Sequence, residues 1–204
     1  MRIKICGITQ IEDALICEKE GANALGFIFY AGSKRYIAPT QVKEIISKLG
    51  PFIDKVGVFV NESVENINQI IDECGLTMVQ LHGEEAHDQI KNIDVPVIKG
   101  FRVDNNFNYN QLHEYRECFF LLDAYSKAEY GGSGKSFNWQ DIPVSMRSKI
   151  ILAGGISVDN LEQIFTEIKP AAIDLSSSIE ISPGKKDHGK VKELFAEYRK
   201  LLTL

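Results

Sequence analysis

Two residues in the chain could exchange protons with a small substrate from opposite sides. Cys6 ends the first β-branched run, Ile3-Lys4-Ile5-Cys6, and Asp123 ends another, Phe119 to Asp123. A thiolate can act as a general base and a carboxylic acid as a general acid. A free thiol is only about 3% ionised at neutral pH, so a competent base needs surroundings that favour its anion. Arg35 adds a planar cation able to take a carboxylate through two parallel hydrogen bonds. His82 also closes a run, where it can meet a substrate or simply sit neutral at a strand end. Taken singly, a buried structural cysteine, a helix-capping aspartate and a surface arginine pair are equally ordinary roles.

A second group of residues suits an anion. Ala153-Gly154-Gly155 follows one apolar run and Ser176-Ser177-Ser178 follows the next. The missing side chains of Gly154 and Gly155 allow close approach to backbone N–H groups, and the serines add hydroxyl donors. That combination suits a phosphate. Gly134-Lys135-Ser136 imitates the end of a P-loop, but Glu129 stands where the motif needs its first glycine, and a nucleotide site there is rejected. The stretch Ala124–Ser136, with Gly131, Gly132 and Gly134, reads as a loop over the site, either a closing lid or an ordinary surface loop.

The elements that must carry these residues repeat one rhythm. Short β-branched runs (Ile3–Cys6, Ala24–Phe29, Val56–Val60, Met78–Leu81, Val95–Phe101, Phe119–Asp123, Ile150–Ala153, Ile173–Leu175) alternate with segments of helical period. Thr9 with Glu12 has the spacing of a capping box before Ile11, Ala14 and Leu15. Val42, Ile45, Ile46 and Leu49 mark a helix expected to end at Gly50-Pro51, and Val64, Ile67 and Ile71 one that stops at Gly75. Leu161, Ile164, Phe165 and Ile168 share a later helical face. A closing helix turns Val191, Leu194, Phe195, Tyr198, Leu201 and Leu202 inward. The helices after the fourth to sixth runs are weakly marked, especially around Asn105–Asn110. Strands alternating with helices imply parallel pairing. An open sheet is disfavoured because no G-x-G-x-x-G follows the first strand. The expected architecture is α/β, a single (β/α)8 TIM barrel over residues 1–204, whose site lies at the C-terminal strand ends.

Composition sets the class. The chain has 204 residues, 44% hydrophobic and 25% charged, with a formal net charge of -5. No basic block exceeds Lys185-Lys186, so no nucleic-acid partner is expected. No apolar run approaches the ~18 residues of a membrane span, and the N-terminal residues alternate charged with apolar. Cys6, Cys17, Cys74 and Cys118 are widely spaced, the pattern of reduced thiols in the cytoplasm. With no metal-ligand spacing, neither a metal nor a cofactor is expected. No protein-binding surface can be read.

Many short stretches, in order, match one family. They are Lys4-Ile5-Cys6-Gly7-Ile8, Gly26-Phe27 with Ser33-Lys34-Arg35, Val56-Gly57-Val58-Phe59, and Val79-Gln80-Leu81-His82-Gly83. Leu122-Asp123-Ala124, Gly131-Gly132-Ser133-Gly134 with Phe137 and Trp139, and Leu152-Ala153-Gly154-Gly155-Ile156 follow. Asp159-Asn160, Asp174-Leu175-Ser176-Ser177 and Pro183-Gly184-Lys185-Lys186-Asp187 complete the set. Over essentially its whole length the chain resembles the phosphoribosylanthranilate isomerases of tryptophan biosynthesis. The resemblance implies a cofactor-free Amadori rearrangement of a phosphorylated small-molecule substrate. It implies Cys6 as base and Asp123 as acid, with Arg35 on the anthranilate carboxylate. His82 and Asp174 would be further substrate contacts, and Gly154, Gly155, Ser176, Ser177 and Ser178 would hold the phosphate. Lys34 replaces a usual proline, Asn138 a frequent aspartate, and Ser178 a frequent glycine. If position 178 needs positive φ, serine costs roughly 1–2 kcal/mol there. Two rivals rank lower: the parallel Amadori isomerase of histidine biosynthesis, with two phosphate sites and paired carboxylates, and a non-catalytic barrel that binds a phosphorylated ligand.

Overall fold

A computed structural model describes residues 1–104, 106–115, 117–124 and 137–203. Eight parallel strands close into a barrel: β1 (Arg2–Cys6), β2 (Ala24–Ile28), β3 (Asp54–Phe59), β4 (Met78–Leu81), β5 (Val97–Val103), β6 (Phe119–Ala124), β7 (Ile150–Leu152) and β8 (Ala172–Leu175). Each pairs with its chain neighbours, and β8 returns to β1 with Lys4 opposite Asp174. Closure leaves no strand edge exposed. Val56, Ile98, Leu121 and Ala153 pack together inside the barrel. The larger apolar core lies between the strands' outer faces and the helices, and includes Ile3, Ile5, Leu25, Phe27, Phe59, Leu122 and Leu152. Alternation along each strand makes this division: odd residues of β1 face the helices, while Lys4 and Cys6 face in.

The outer helices include α1 (Ile11–Glu20), α2 (Pro39–Ile46), α3 (Val64–Cys74), α4 (His87–Ile90), α5 (Val144–Arg147), α6 (Leu161–Gln163) and α7 (His188–Leu201). Helix α3 follows its sequence markers and ends at Gly75, φ 71°; the Ser63 hydroxyl, not marked in the sequence, caps Asn66 N–H. Others depart from expectation. Thr9 makes no capping box; its hydroxyl donates to the Gly184 carbonyl, because a short antiparallel hairpin, β9 (Glu180–Ser182) with β10 (Lys185–Lys186), lies against it. Helix α2 stops at Ile46, and Gly50 N–H instead donates to Glu18 at 2.8 Å. After α6 the helix widens into a π turn over Ile164–Ile168, which still buries Ile164 and Ile168. Leu202 lies past the end of α7 and is 57% exposed rather than inward. Among the described residues, the connections after β4, β5 and β6 hold only short helical turns, in keeping with their faint periodicity.

Candidate active site

The strand ends surround a cavity of about 370 Å³, within the common range for small-molecule sites. It is lined by all ten residues marked in the sequence: Cys6, Arg35, His82, Asp123, Gly154, Gly155, Asp174, Ser176, Ser177 and Ser178. Ser33, Gln80 and Ser157 add further polar lining, and Ile28, Val58, Ile156 and Leu175 an apolar one. The Gln80 and Ser157 positions were not marked, although Gln80 shares with His82 the inward face of one strand.

Cys6 is 7% exposed at the end of β1. Burial pushes its thiol above the ordinary cysteine value, and Lys4 is the largest influence in the other direction. Burial outweighs Lys4, so the thiol is held up rather than lowered. Asp123 stands on β6, its Oδ1 accepting from Ala124 N–H at 2.8 Å and its Oδ2 3.5 Å from His82 Nε2. The Gln80 side-chain nitrogen lies 3.0 Å from His82 Nδ1, and Nε2 of the same ring faces Asp123. Gly100 makes space for that ring, since a methyl there would come within 2.4 Å of Nδ1.

Arg35 is buried, not a surface cation. Its Nε and Nη2 donate to Glu180, with Nη2 to Oε2 at 2.8 Å. Glu180 also accepts from Lys186 Nζ at 2.8 Å, and Lys186 Nζ donates to the Cys6 carbonyl at 2.6 Å. Burial acts to raise the Glu180 carboxyl, but Arg35 and Lys186 prevail and hold it below the usual glutamate range. Through Glu180 the β9–β10 hairpin joins the end of β1 to the loop that carries Arg35. Sequence reading missed Lys4, Glu180 and Lys186. The parity of Lys4 with Cys6 was the one available signal, whereas Lys186, 1% exposed, looked like half of a solvated basic pair.

Gly154 and Gly155 both adopt left-handed backbone, φ 82° and 70°. Gly154 also gives close clearance, since a methyl there would stand 2.7 Å from Asp123 Oδ1 and from Ala124 N. Ser178 has no positive φ; it lies in a tight 3₁₀ turn over Ser177–Ile179, so the strain considered for serine there does not arise. Its hydroxyl is buried and has no protein partner among the described residues. Asn138, at another departure, caps the turn at Trp139–Asp141 by accepting from Gln140 N–H. The loop read over Ala124–Ser136, lid or surface loop, lies, beyond Ala124, outside the described residues. Among the described residues no group of three His, Cys, Asp or Glu is placed to hold a metal ion. No helix among them is long and apolar enough to cross a membrane.

The comparisons agree with one another. The family model described as N-(5′-phosphoribosyl)anthranilate (PRA) isomerase matches residues 3–197. The N-(5′-phosphoribosyl)anthranilate isomerase of Citrifermentans bemidjiense is 44% identical over 204 residues, covering 100% of this chain and 99% of the relative. The crystal structure of the Thermotoga maritima phosphoribosyl anthranilate isomerase superposes with a TM-score of 0.89 at 38% identity, covering 98% and 99% of the two chains. A further phosphoribosyl anthranilate isomerase structure, in complex with reduced 1-(o-carboxyphenylamino)-1-deoxyribulose 5-phosphate, has a TM-score of 0.87 at 38% identity, covering 98% and 99%. The chain belongs to the N-(5′-phosphoribosyl)anthranilate isomerase family.

Proposed function

We propose that this protein isomerises N-(5-phosphoribosyl)anthranilate to 1-(2-carboxyphenylamino)-1-deoxyribulose 5-phosphate in tryptophan biosynthesis. Cys6 and Asp123 do the proton transfers, and residues 1–204 act as one catalytic domain in the cytoplasm. The observation that carries this reading is that a thiol, a carboxyl, a buried arginine and a Gly/Ser anion cradle line one cavity. A family relative of the same fold holds a reduced form of the product named here.

Chemistry follows from the placement. The phosphate sits against Gly154, Gly155 and the serines Ser176–Ser178, where backbone N–H groups and hydroxyls are preorganised donors. Arg35, held by Glu180, receives the anthranilate carboxylate, and His82 and Asp174 contact the sugar between these two anchors. Asp123 protonates the furanose ring oxygen, the C1′–O bond breaks, and the substrate nitrogen supplies the electron pair that makes an iminium. Cys6 as thiolate removes the C2′ proton. The freed pair forms the C1′=C2′ bond and neutralises the iminium, giving an enolamine that tautomerises to the ketone. Substrate nitrogen thus supplies the electron sink.

Mixing the protein with phosphoribosylanthranilate and following the loss of its fluorescence tests the activity. Turnover with this substrate, and none with the aminoaldose phosphate of histidine biosynthesis, is expected. Binding without turnover would place the protein among non-catalytic barrels.

A further inference from the structure

Directly behind Cys6 the barrel holds a buried lysine to which the reaction above gives no part. Lys4 is two residues earlier on β1, faces the same way and is 3% exposed. Its Nζ lies 2.8 Å from Asp174 Oδ2, across the β1–β8 ladder in which the two residues are directly opposed. The same ammonium acts electrostatically on the Cys6 thiol, two residues along on the same face of β1. Gly26, opposite Cys6 on β2, leaves room for both side chains: a methyl there would lie 2.7 Å from Sγ and 3.2 Å from Nζ. Asp174 uses one oxygen for this pair. Its Oδ1 is buried without a partner among the described residues, and Asp174 lines the cavity.

We propose that Lys4 is the positioning residue for the base, its ammonium shared between Asp174 and the Cys6 sulfur so that the sulfur is held as thiolate when its proton leaves. A buried ammonium is costly unless paired, and here Asp174 keeps the lysine charged while the substrate-facing sulfur is neutral. Burial works against the Lys4 charge, yet Asp174 and Cys6 hold it above the ordinary lysine range. The charged and titratable groups around the sulfur are Lys4 on β1, Asp174 on β8 and Lys186 on β10. Across the cavity stand Arg35, His82 just past β4 and Asp123 on β6. Burial drives the thiol up and Asp174 adds to it; Lys4 opposes most, then Lys186. The purpose of the device rests on Cys6 being the base, but the ionisation it controls is measurable without any substrate.

Two substitutions should therefore move the Cys6 titration in opposite directions. Lys4→Met removes the ammonium but keeps length and apolar stem. Asp174→Asn removes the competing anion and leaves Lys4 to the sulfur. Iodoacetamide alkylation of the whole chain across pH, quantified on the Cys6 peptide by mass spectrometry, reads the midpoint. With cleavage at acidic residues, which separates Cys6 from Cys17 at Glu12-Asp13, Cys17, pushed by burial to about 12, and Cys74, to about 11, serve as internal references. The Cys6 midpoint is expected to rise by about one pH unit or more in Lys4→Met, a tenfold loss of thiolate, and to fall in Asp174→Asn. Should Lys4→Met not fold, the double variant Lys4→Met/Asp174→Asn, which removes the pair entirely, should titrate above Asp174→Asn by a similar interval. An unmoved midpoint in Lys4→Met, shifts of the same sign in both single variants, or a double variant level with Asp174→Asn would overturn the assignment. Normal turnover in Cys6→Ala would instead remove the base reading and leave this ionisation result standing.

Discussion

Glu180 grips Arg35 along one edge of its guanidinium, receiving Nε at 3.0 Å and Nη2 at 2.8 Å. The same carboxylate receives Lys186, so one buried anion stands between two cations and fixes both. Bidentate pairing sets the plane of the guanidinium, and with it the direction from which a substrate carboxylate is met. Arg35→Met is expected to raise KM more than it lowers kcat, because the contact exists in ground and transition states alike. A substrate analogue without the carboxylate should lose little. Steady-state kinetics on both substrates checks this; equal damage with both would make Arg35 a structural residue.

Glu180→Gln should reproduce the KM effect more weakly and also cost stability, on the order of 3 kcal/mol by urea unfolding, since two buried cations lose their anion. The pH dependence has a definite sign. The Glu180 carboxyl is held below its ordinary value in the folded protein, so its contribution is fully present above the unfolded glutamate pKa, about 4.3. It is lost as pH falls through the folded value. Unfolding titrated from neutral pH into acid should show a limb that is shallower in Glu180→Gln.

The anion cradle makes a third expectation. Gly155→Asp would set a carboxylate beside the phosphate and force an unfavourable left-handed backbone on a side chain, so product affinity should fall strongly in a folded variant. Ser178→Ala should lose about 1 kcal/mol of product binding, roughly fivefold, by removing a buried hydroxyl from a residue that lines the cavity. Ser178→Gly should bring no gain, because Ser178 is not in the left-handed region. Isothermal titration with product, or with inorganic phosphate as the smaller probe, reads all three. Unchanged affinity in Gly155→Asp would remove the phosphate assignment.

Gly154 links the cradle to the acid. Gly154→Ala places a methyl 2.7 Å from both Asp123 Oδ1 and the Ala124 backbone, at a φ of 82° that costs a side chain roughly 1–2 kcal/mol. The backbone atom cannot yield cheaply, so Asp123 must shift, and a fall in kcat of about tenfold or more is expected. A variant with normal kcat would show that the acid tolerates displacement.

How far the sequence revealed this depends on whether a signal was local. Val64–Cys74 carried its own apolar stripe and terminal glycine, and Met78–Leu81 its own apolar run, so both were legible. The strand-end residues Cys6, His82 and Asp123 could be picked out because barrel geometry gathers strand ends wherever they fall in the chain. Glu180 and Lys186 could not. Their roles depend on a hairpin that folds back onto β1 from more than 170 residues away, as the Lys186 to Cys6 contact shows. That hairpin also took the Thr9 hydroxyl from its expected cap. Lys4 was hidden differently: a lysine alternating with isoleucines reads as solvent-facing, whereas inside a closed barrel the same alternation points it at Asp174.

The central claim is that Cys6 and Asp123 transfer the protons, and kcat of the single variants tests it most directly. Measured on phosphoribosylanthranilate, Cys6→Ala and Asp123→Asn are each expected to lose several hundredfold or more in kcat, the usual scale of acid–base catalysis. Product Kd should stay near the parent value, since neither residue is assigned to the phosphate or the carboxylate. The double variant should be scarcely slower than either single one, as expected for groups that act in one mechanism. Near-normal kcat in Cys6→Ala would contradict the base assignment, and near-normal kcat in Asp123→Asn would contradict the acid.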